Sequence, residues 1–251
     1  MLTFKHKTNI ELKNMSYEEK SQYYLEYKEY ILNLPFDEEK LECGEKKFLK
    51  TADFLVSNLK KHFEPHIYGN DKPLNGATIV ISNHLGSFDQ ILVNAPYQYE
   101  AFHYMIDKSL LKAKNLCIGN FYVNRGAFVV DKHDFKDIKM AEPRALQYLH
   151  RNKHVMMFPE GSRMVKYGSD GGVTKFKKGV IEIAKAGQVP IRPMAINNNY
   201  KKGEVYINVG EDIWVSYDDN NHEKLAEVQR SVENLWQENK DKGAMIITKR
   251  K

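Results

Sequence analysis

Thr78-Ile79-Val80-Ile81-Ser82-Asn83-His84-Leu85-Gly86-Ser87-Phe88-Asp89 carries the reading of the fold. The first five residues form a short apolar run, which predicts a buried strand over 78–82. A glycine-bearing turn follows. Ser87 and Gln90 then have capping-box spacing, which makes Ser87 an N-cap and Asp89 the second position of a helix over 88–95. Strand, tight turn and helix together are the building unit of an α/β sheet. The pattern repeats downstream. Further strands are expected at 102–106, 118–123, 154–158, 190–196 and 204–209, and helices at 108–114, 135–151, 177–187 and 222–240. The predicted fold class is α/β, with a mixed, largely buried sheet flanked by helices.

Upstream, Pro35 separates two helical stretches, 16–34 and 37–63, read as an N-terminal helical hairpin within residues 1–66. In the second, Leu41, Phe48, Ala52, Leu55, Leu59 and Phe63 share one face. The first is crowded with Tyr17, Tyr23, Tyr24, Tyr27 and Tyr30. Tyrosines with apolar bodies and polar tips suit a membrane interface, and they equally suit a helix packed on the core. Both readings stay open at this level. Residues 67–251 form the domain that carries the chemistry.

Composition narrows the classes. The net charge is +5, while residues 1–66 hold eleven Lys against twelve Asp or Glu, so the basic excess lies entirely in the remainder. That balance favours anionic partners, a phosphorylated small molecule or a lipid surface among them. Nucleic acid is set aside, because Lys166 to Lys178 lack the aromatic interleaving of a stacking platform. Two cysteines, Cys43 and Cys117, make neither a disulfide framework nor a metal-ligand pattern, which points to a reducing, cytoplasmic setting. The first ten residues lack a signal peptide's apolar stretch, and no run of eighteen apolar residues occurs, so a membrane-associated chain of this kind lies on the bilayer.

Two clusters carry chemistry. His84 and Asp89 stand five residues apart beyond a strand end, where ligands gather in α/β sheets. A carboxylate that fixes an imidazole's tautomer makes it a usable base near neutral pH. Each residue also has a plainer reading: Asp is favoured in a first helical turn, and a turn histidine is commonly a surface residue. The second cluster is Phe158-Pro159-Glu160-Gly161-Ser162-Arg163. It sets a carboxylate, a flexible glycine, a hydroxyl and a phosphate-matching guanidinium side by side; its plainer reading is a polar turn with Glu160 paired to Arg163. The glycine-serine-glycine frame of a nucleophile elbow is missing, which argues against a serine hydrolase. Lys166, Lys175, Lys177 and Lys178 flank a glycine-rich loop, 168–172, that is a candidate to close over phosphate groups.

Asn83-His84-x4-Asp89 together with Phe158-Pro159-Glu160-Gly161-Ser162-Arg163 resembles the glycerolipid acyltransferases of the 1-acyl-glycerol-3-phosphate acyltransferase type. Phe121-Tyr122-Val123-Asn124-Arg125, Phe176-Lys177-Lys178-Gly179 and Val189-Pro190-Ile191-Arg192-Pro193 are similar to further blocks of that family, in the family's order, over roughly 76–210. Asn124 stands where the family usually has Asp, and Ser162 where Thr is common. The resemblance implies an enzyme of phospholipid synthesis. It would transfer a fatty acyl group from acyl-CoA or acyl carrier protein to the free hydroxyl of lysophosphatidate. His84 would be general base and Asp89 its orienter, with Arg125, Glu160, Gly161, Ser162 and Arg163 holding the phosphorylated acceptor. It implies no metal and no cofactor beyond the thioester co-substrate, and a location on the inner face of a membrane. Two alternatives remain: another acceptor, such as glycerol-3-phosphate or a different lysophospholipid, and a non-catalytic lipid-binding protein of the same fold.

Overall fold

The structure is a computed structural model that describes residues 4–59, 61, 63–86, 89–97, 100–112, 116–162, 172–199 and 203–242. Among the described residues, seven strands build one sheet: β1 (Glu64–Gly69), β2 (Ile79–Ser82), β3 (Phe102–Asp107), β4 (Phe128–Val130), β5 (His154–Met157), β6 (Ile191–Asn199) and β7 (Glu204–Val209). Their order is β1-β7-β6-β2-β5-β3-β4, and every neighbouring pair is parallel except β6 with β7. The sheet is therefore mixed, as expected, with β2 at its centre. All four residues of β2 are buried, because helices cover both faces.

The helices are α1 (Asn9–Asn14), α2 (Tyr17–Leu32), α3 (Glu38–Leu59), α4 (Asp89–Leu92), α5 (Leu116–Val123), α6 (Phe135–Lys139), α7 (Ala141–Leu149), α8 (Gly179–Gly187) and α9 (Asn221–Asp241), with a 3₁₀ turn at Lys108–Leu111. The pleat divides the apolar side chains into two cores. Ile79 and Ile81 of β2, Val155 and Met157 of β5 and Ile191 of β6 face one core, closed by α2, α7, α8 and α9. Val80, Met156, Met194 and Ile196 face the other, closed by α3, α4 and α5. Each such side chain taken fully from water contributes on the order of 1.5–3 kcal/mol.

The first two long helices are correctly placed by sequence, with α2 started by a Ser16–Glu19 capping box. They do not pair as a hairpin, however. Tyr27 and Ile31 of α2 lie in the first core, whereas Phe48, Ala52 and Val56 of α3 lie in the second, so the chain crosses from one face of the sheet to the other around Pro35. The tyrosine face of α2 is largely spent on packing: Tyr23 and Tyr27 are buried, while Tyr17 and Leu25 remain exposed. β1 spans residues 66 and 67 and pairs with β7 along its length.

Three other expectations are corrected. Residues 118–123 are helical, not a strand; a short, mostly apolar run reads equally as buried helix or buried strand. Gly119 fits the close approach of α5 to the carbonyl of Leu110, where a Cβ would lie 2.4 Å from the oxygen. The helix expected over 135–151 divides into α6 and α7 at Met140. Pro143 has no N–H to continue the ladder and fits only the first turn of a new helix. Of the helix expected over 108–114, Lys108–Leu111 form the 3₁₀ turn and Lys112 is extended, while residues 113 and 114 lie outside the described residues. Among the described residues, no helix is long and apolar enough to cross a membrane.

Candidate active site

β2 and β5 are parallel neighbours, with Ile81 opposite Met157, so the segments leaving their carboxyl ends emerge side by side. His84 leaves the first and Glu160 the second. The turn after β2 is held to β6 by Asn83. Its side-chain amide donates to the carbonyl of Ile196 at 2.9 Å, and its Oδ1 accepts the Ile196 N–H at 2.8 Å. A buried side chain thereby satisfies a backbone donor and acceptor that the end of β2 would leave bare.

Beyond Asn83, the chain doubles back on Asp89. The Asp89 carboxylate is fully buried and places Oδ2 2.8 Å from His84 Nδ1. The same oxygen accepts the Gly86 N–H at 2.7 Å. A carboxylate only accepts, so Nδ1 carries the proton and Nε2 of the neutral ring is left as acceptor. Asp89 is the first residue of α4, and its side chain closes the turn rather than merely facing the helix dipole. The His84 ring stacks on Phe158 with centroids 4.2 Å apart and planes 18° from parallel, which fixes its second torsion. Ser87, read as the N-cap, lies outside the described residues.

Glu160 is 5% exposed and meets the same turn. Its Oε1 accepts the His84 backbone N–H at 3.4 Å, and its Oε2 accepts the Thr174 hydroxyl at 2.7 Å. Burial pushes its pKa up to about 7, against the opposing pull of the Thr174 and His84 donors; the nearby Asp89 charge adds to the rise. The carboxyl thus changes charge in the physiological range. Gly161 sits at φ +72°, closing a turn in which its N–H meets the carbonyl of Phe158. The end of the Lys177 side chain occupies the space a Cβ would take there, with Nζ 2.7 Å from that point. Ser162 follows, half-buried, in the same turn.

The expected site residues therefore divide. His84, Asp89 and Glu160 converge, with Gly161 and Ser162 beside them. Arg125 stands elsewhere, after α5. Its Nε and Nη2 both donate to Thr51 Oγ1 of α3, at 3.0 and 2.9 Å, its Nη1 donates to the Phe121 carbonyl at 2.9 Å, and its guanidinium lies 3.8 Å from the Phe121 ring centroid. It lines a cleft with Thr51, Gln90, Ile91 and Asn94, so α4 joins this cleft to Asp89. Arg163, Lys166 and residues 168–171 of the glycine-rich loop lie outside the described residues. Thr51 and Thr174 escaped the reading of the sequence. Each acts on a residue far along the chain or on a turn from another element, and neither stands in a motif of its own.

The family model for acyltransferases matches residues 60–197. A putative 1-acyl-sn-glycerol-3-phosphate acyltransferase of Caenorhabditis elegans is 30% identical over 152 residues, covering 58% of this chain and 51% of its own length. A 1-acyl-sn-glycerol-3-phosphate acyltransferase of Borreliella burgdorferi is 23% identical over 150 residues, covering 57% and 55%. The chain thus spans about half the length of the curated relatives it matches. The crystal structure of the lysophosphatidate acyltransferase PlsC from Thermotoga maritima superposes with a TM-score of 0.60 at 21% identity, over 94% of this chain and 96% of that one, and shows the fold to be shared.

Proposed function

The chain belongs to the acyltransferase family, and on that premise we propose that it moves a fatty acyl group from acyl-CoA or acyl carrier protein to the free hydroxyl of lysophosphatidate. The observation that carries the reading is the 2.8 Å contact between His84 Nδ1 and Asp89 Oδ2, which leaves Nε2 as a base at the mouth of the turn. The names of the relatives support the choice of acceptor.

In this reading Nε2 removes the proton of the acceptor hydroxyl as its oxygen attacks the thioester carbonyl. Asp89 steadies the imidazolium that forms. The tetrahedral adduct then collapses, the carbon–sulfur bond breaks, and the departing thiolate takes the proton back from Nε2. No acyl-enzyme forms, and no metal or cofactor enters the cycle. Glu160 orients the acceptor hydroxyl beside His84. Arg125, in the cleft one helix position from Asp89, and Arg163, next to Ser162, bind the acceptor phosphate; a guanidinium fork matches its oxygens.

The acceptor is a lipid, so the protein works against the inner face of a membrane from the cytoplasm. Within residues 1–66, Ile10, Tyr17, Leu25 and Leu32 are the exposed large apolar side chains of α1 and α2 offered to that surface. The test is release of free thiol from a long-chain acyl-CoA with lysophosphatidate, glycerol-3-phosphate and other lysophospholipids in parallel. Lysophosphatidate is expected to give the highest kcat/KM, and His84→Ala to lower turnover by on the order of 10²–10⁴ with an unchanged circular dichroism spectrum. Turnover that survives in His84→Ala sinks the assignment of the base.

A further inference from the structure

Residues 172–178 run back across the turn that carries Glu160, and they are tied down at several points. Phe176 is buried, and its N–H donates to Gln229 Oε1 of α9 at 3.0 Å. The Lys177 N–H donates to the carbonyl of Pro159 at 2.9 Å, and Val173 packs on the first core. Thr174 is held between these anchors, and its hydroxyl reaches Glu160 Oε2 at 2.7 Å. A β-branched side chain on an anchored strap has little rotational freedom, so its oxygen is a fixed donor.

We infer that Thr174 is a positioning residue for the acyl-transfer site, holding the Glu160 carboxylate so that its second oxygen stays on the backbone of His84. This rests on the proposed function for its catalytic meaning. The geometry has an electrostatic counterpart. Glu160 is pushed to about 7 chiefly by burial, and the Thr174 hydroxyl opposes that push by bonding the charged form. The other groups facing the carboxyl are the His84–Asp89 pair and Lys177, whose ammonium lies over Gly161. Loss of the hydroxyl therefore moves the Glu160 titration upward and leaves the carboxyl neutral over more of the working range.

The test compares Thr174→Val, Thr174→Ser and the parent chain by two readouts. In thiol release with a long-chain acyl-CoA and lysophosphatidate, the acid limb of kcat against pH moves up by about one unit in Thr174→Val and returns in Thr174→Ser. In thermal unfolding, Thr174→Val lowers Tm more at pH 8.5 than at pH 5, because only the ionised carboxyl needs the donor strongly. Should the valine chain not fold, Thr174→Ala against Thr174→Ser makes the same comparison. An unshifted acid limb, or an equal loss of Tm at both pH values, overturns the inference. A parent chain that releases no thiol defeats the proposed function, while the Tm comparison still decides whether Thr174 governs Glu160.

Discussion

The turn beyond β2 and the cleft around Arg125 both hold residues named from the sequence, yet they are built in opposite ways. His84, Gly86 and Asp89 are organised by bonds within six residues, with Asn83 pinning the base of the turn to β6. Arg125 is organised by Thr51, 74 residues away on a helix that precedes the whole sheet. The first arrangement is a local motif, and it arrives with the strand. The second exists only when α3 has docked. Geometry at a strand end can be inferred from spacing, whereas geometry across a helix interface depends on packing that spacing does not encode.

That contrast is open to attack by experiment. Asp89→Asn keeps the shape of the turn and removes the acceptor that sets the ring tautomer; it is expected to lower kcat by on the order of 10²–10⁴, close to the effect of His84→Ala. A loss below tenfold would mean that Asp89 serves the fold rather than the base. Next in size is a pH effect. The folded pKa of Glu160, about 7, stands above its ordinary 4.5, so the folded state holds the proton more tightly than the unfolded state. The stability this provides is complete below about pH 4.5 and is lost as pH rises through about 7, a decline of roughly 3 kcal/mol. Glu160→Gln should flatten that decline in urea titrations between pH 5 and 8.5.

Arg125→Ala is expected to raise the KM for lysophosphatidate about 10- to 100-fold while leaving the thioester KM within about threefold, the loss of charge-assisted bonds to one substrate alone. Equal changes for both substrates would remove Arg125 from the phosphate site. Asn83→Ala strips both partners from Ile196 and should lower stability by about 2 kcal/mol in chemical denaturation. Smallest is Thr51→Val. It leaves Arg125 in place but unsteered, and should raise the acceptor KM only a few-fold, with Thr51→Ser close to the parent. If Thr51→Val matched Arg125→Ala, the cleft would be more finely tuned than its single hydroxyl contact suggests.

How far the sequence foretold this molecule follows the same line. β7 was expected at 204–209 and spans those residues, and β2, β3 and β5 each begin or end within one residue of expectation. Short apolar runs between polar breaks leave a buried parallel strand few alternatives. β1 escaped notice because Glu64-Pro65-His66-Ile67-Tyr68-Gly69 is an edge strand, half exposed and carrying a proline, so it lacks the apolar run that marks its neighbours. α5 reads as a strand because Leu116–Val123, apolar or glycine but for Asn120, carries no clear helical period. The convergence of His84, Asp89 and Glu160 is legible because two strand-end turns each bring their own motif. Thr174 is not. It owes its role to where residues 172–178 are pinned, which rests on Phe176, Gln229 and the carbonyl of Pro159 acting together.

The passage of the chain around Pro35 from one face of the sheet to the other has a consequence for how the molecule comes apart. With α2 seated in one core and α3 in the other, the leading segment grips the sheet as a clothes-peg grips cloth. Its release uncovers apolar side chains of both cores, so amide protons in α2 and α3 should become exchangeable with deuterium together.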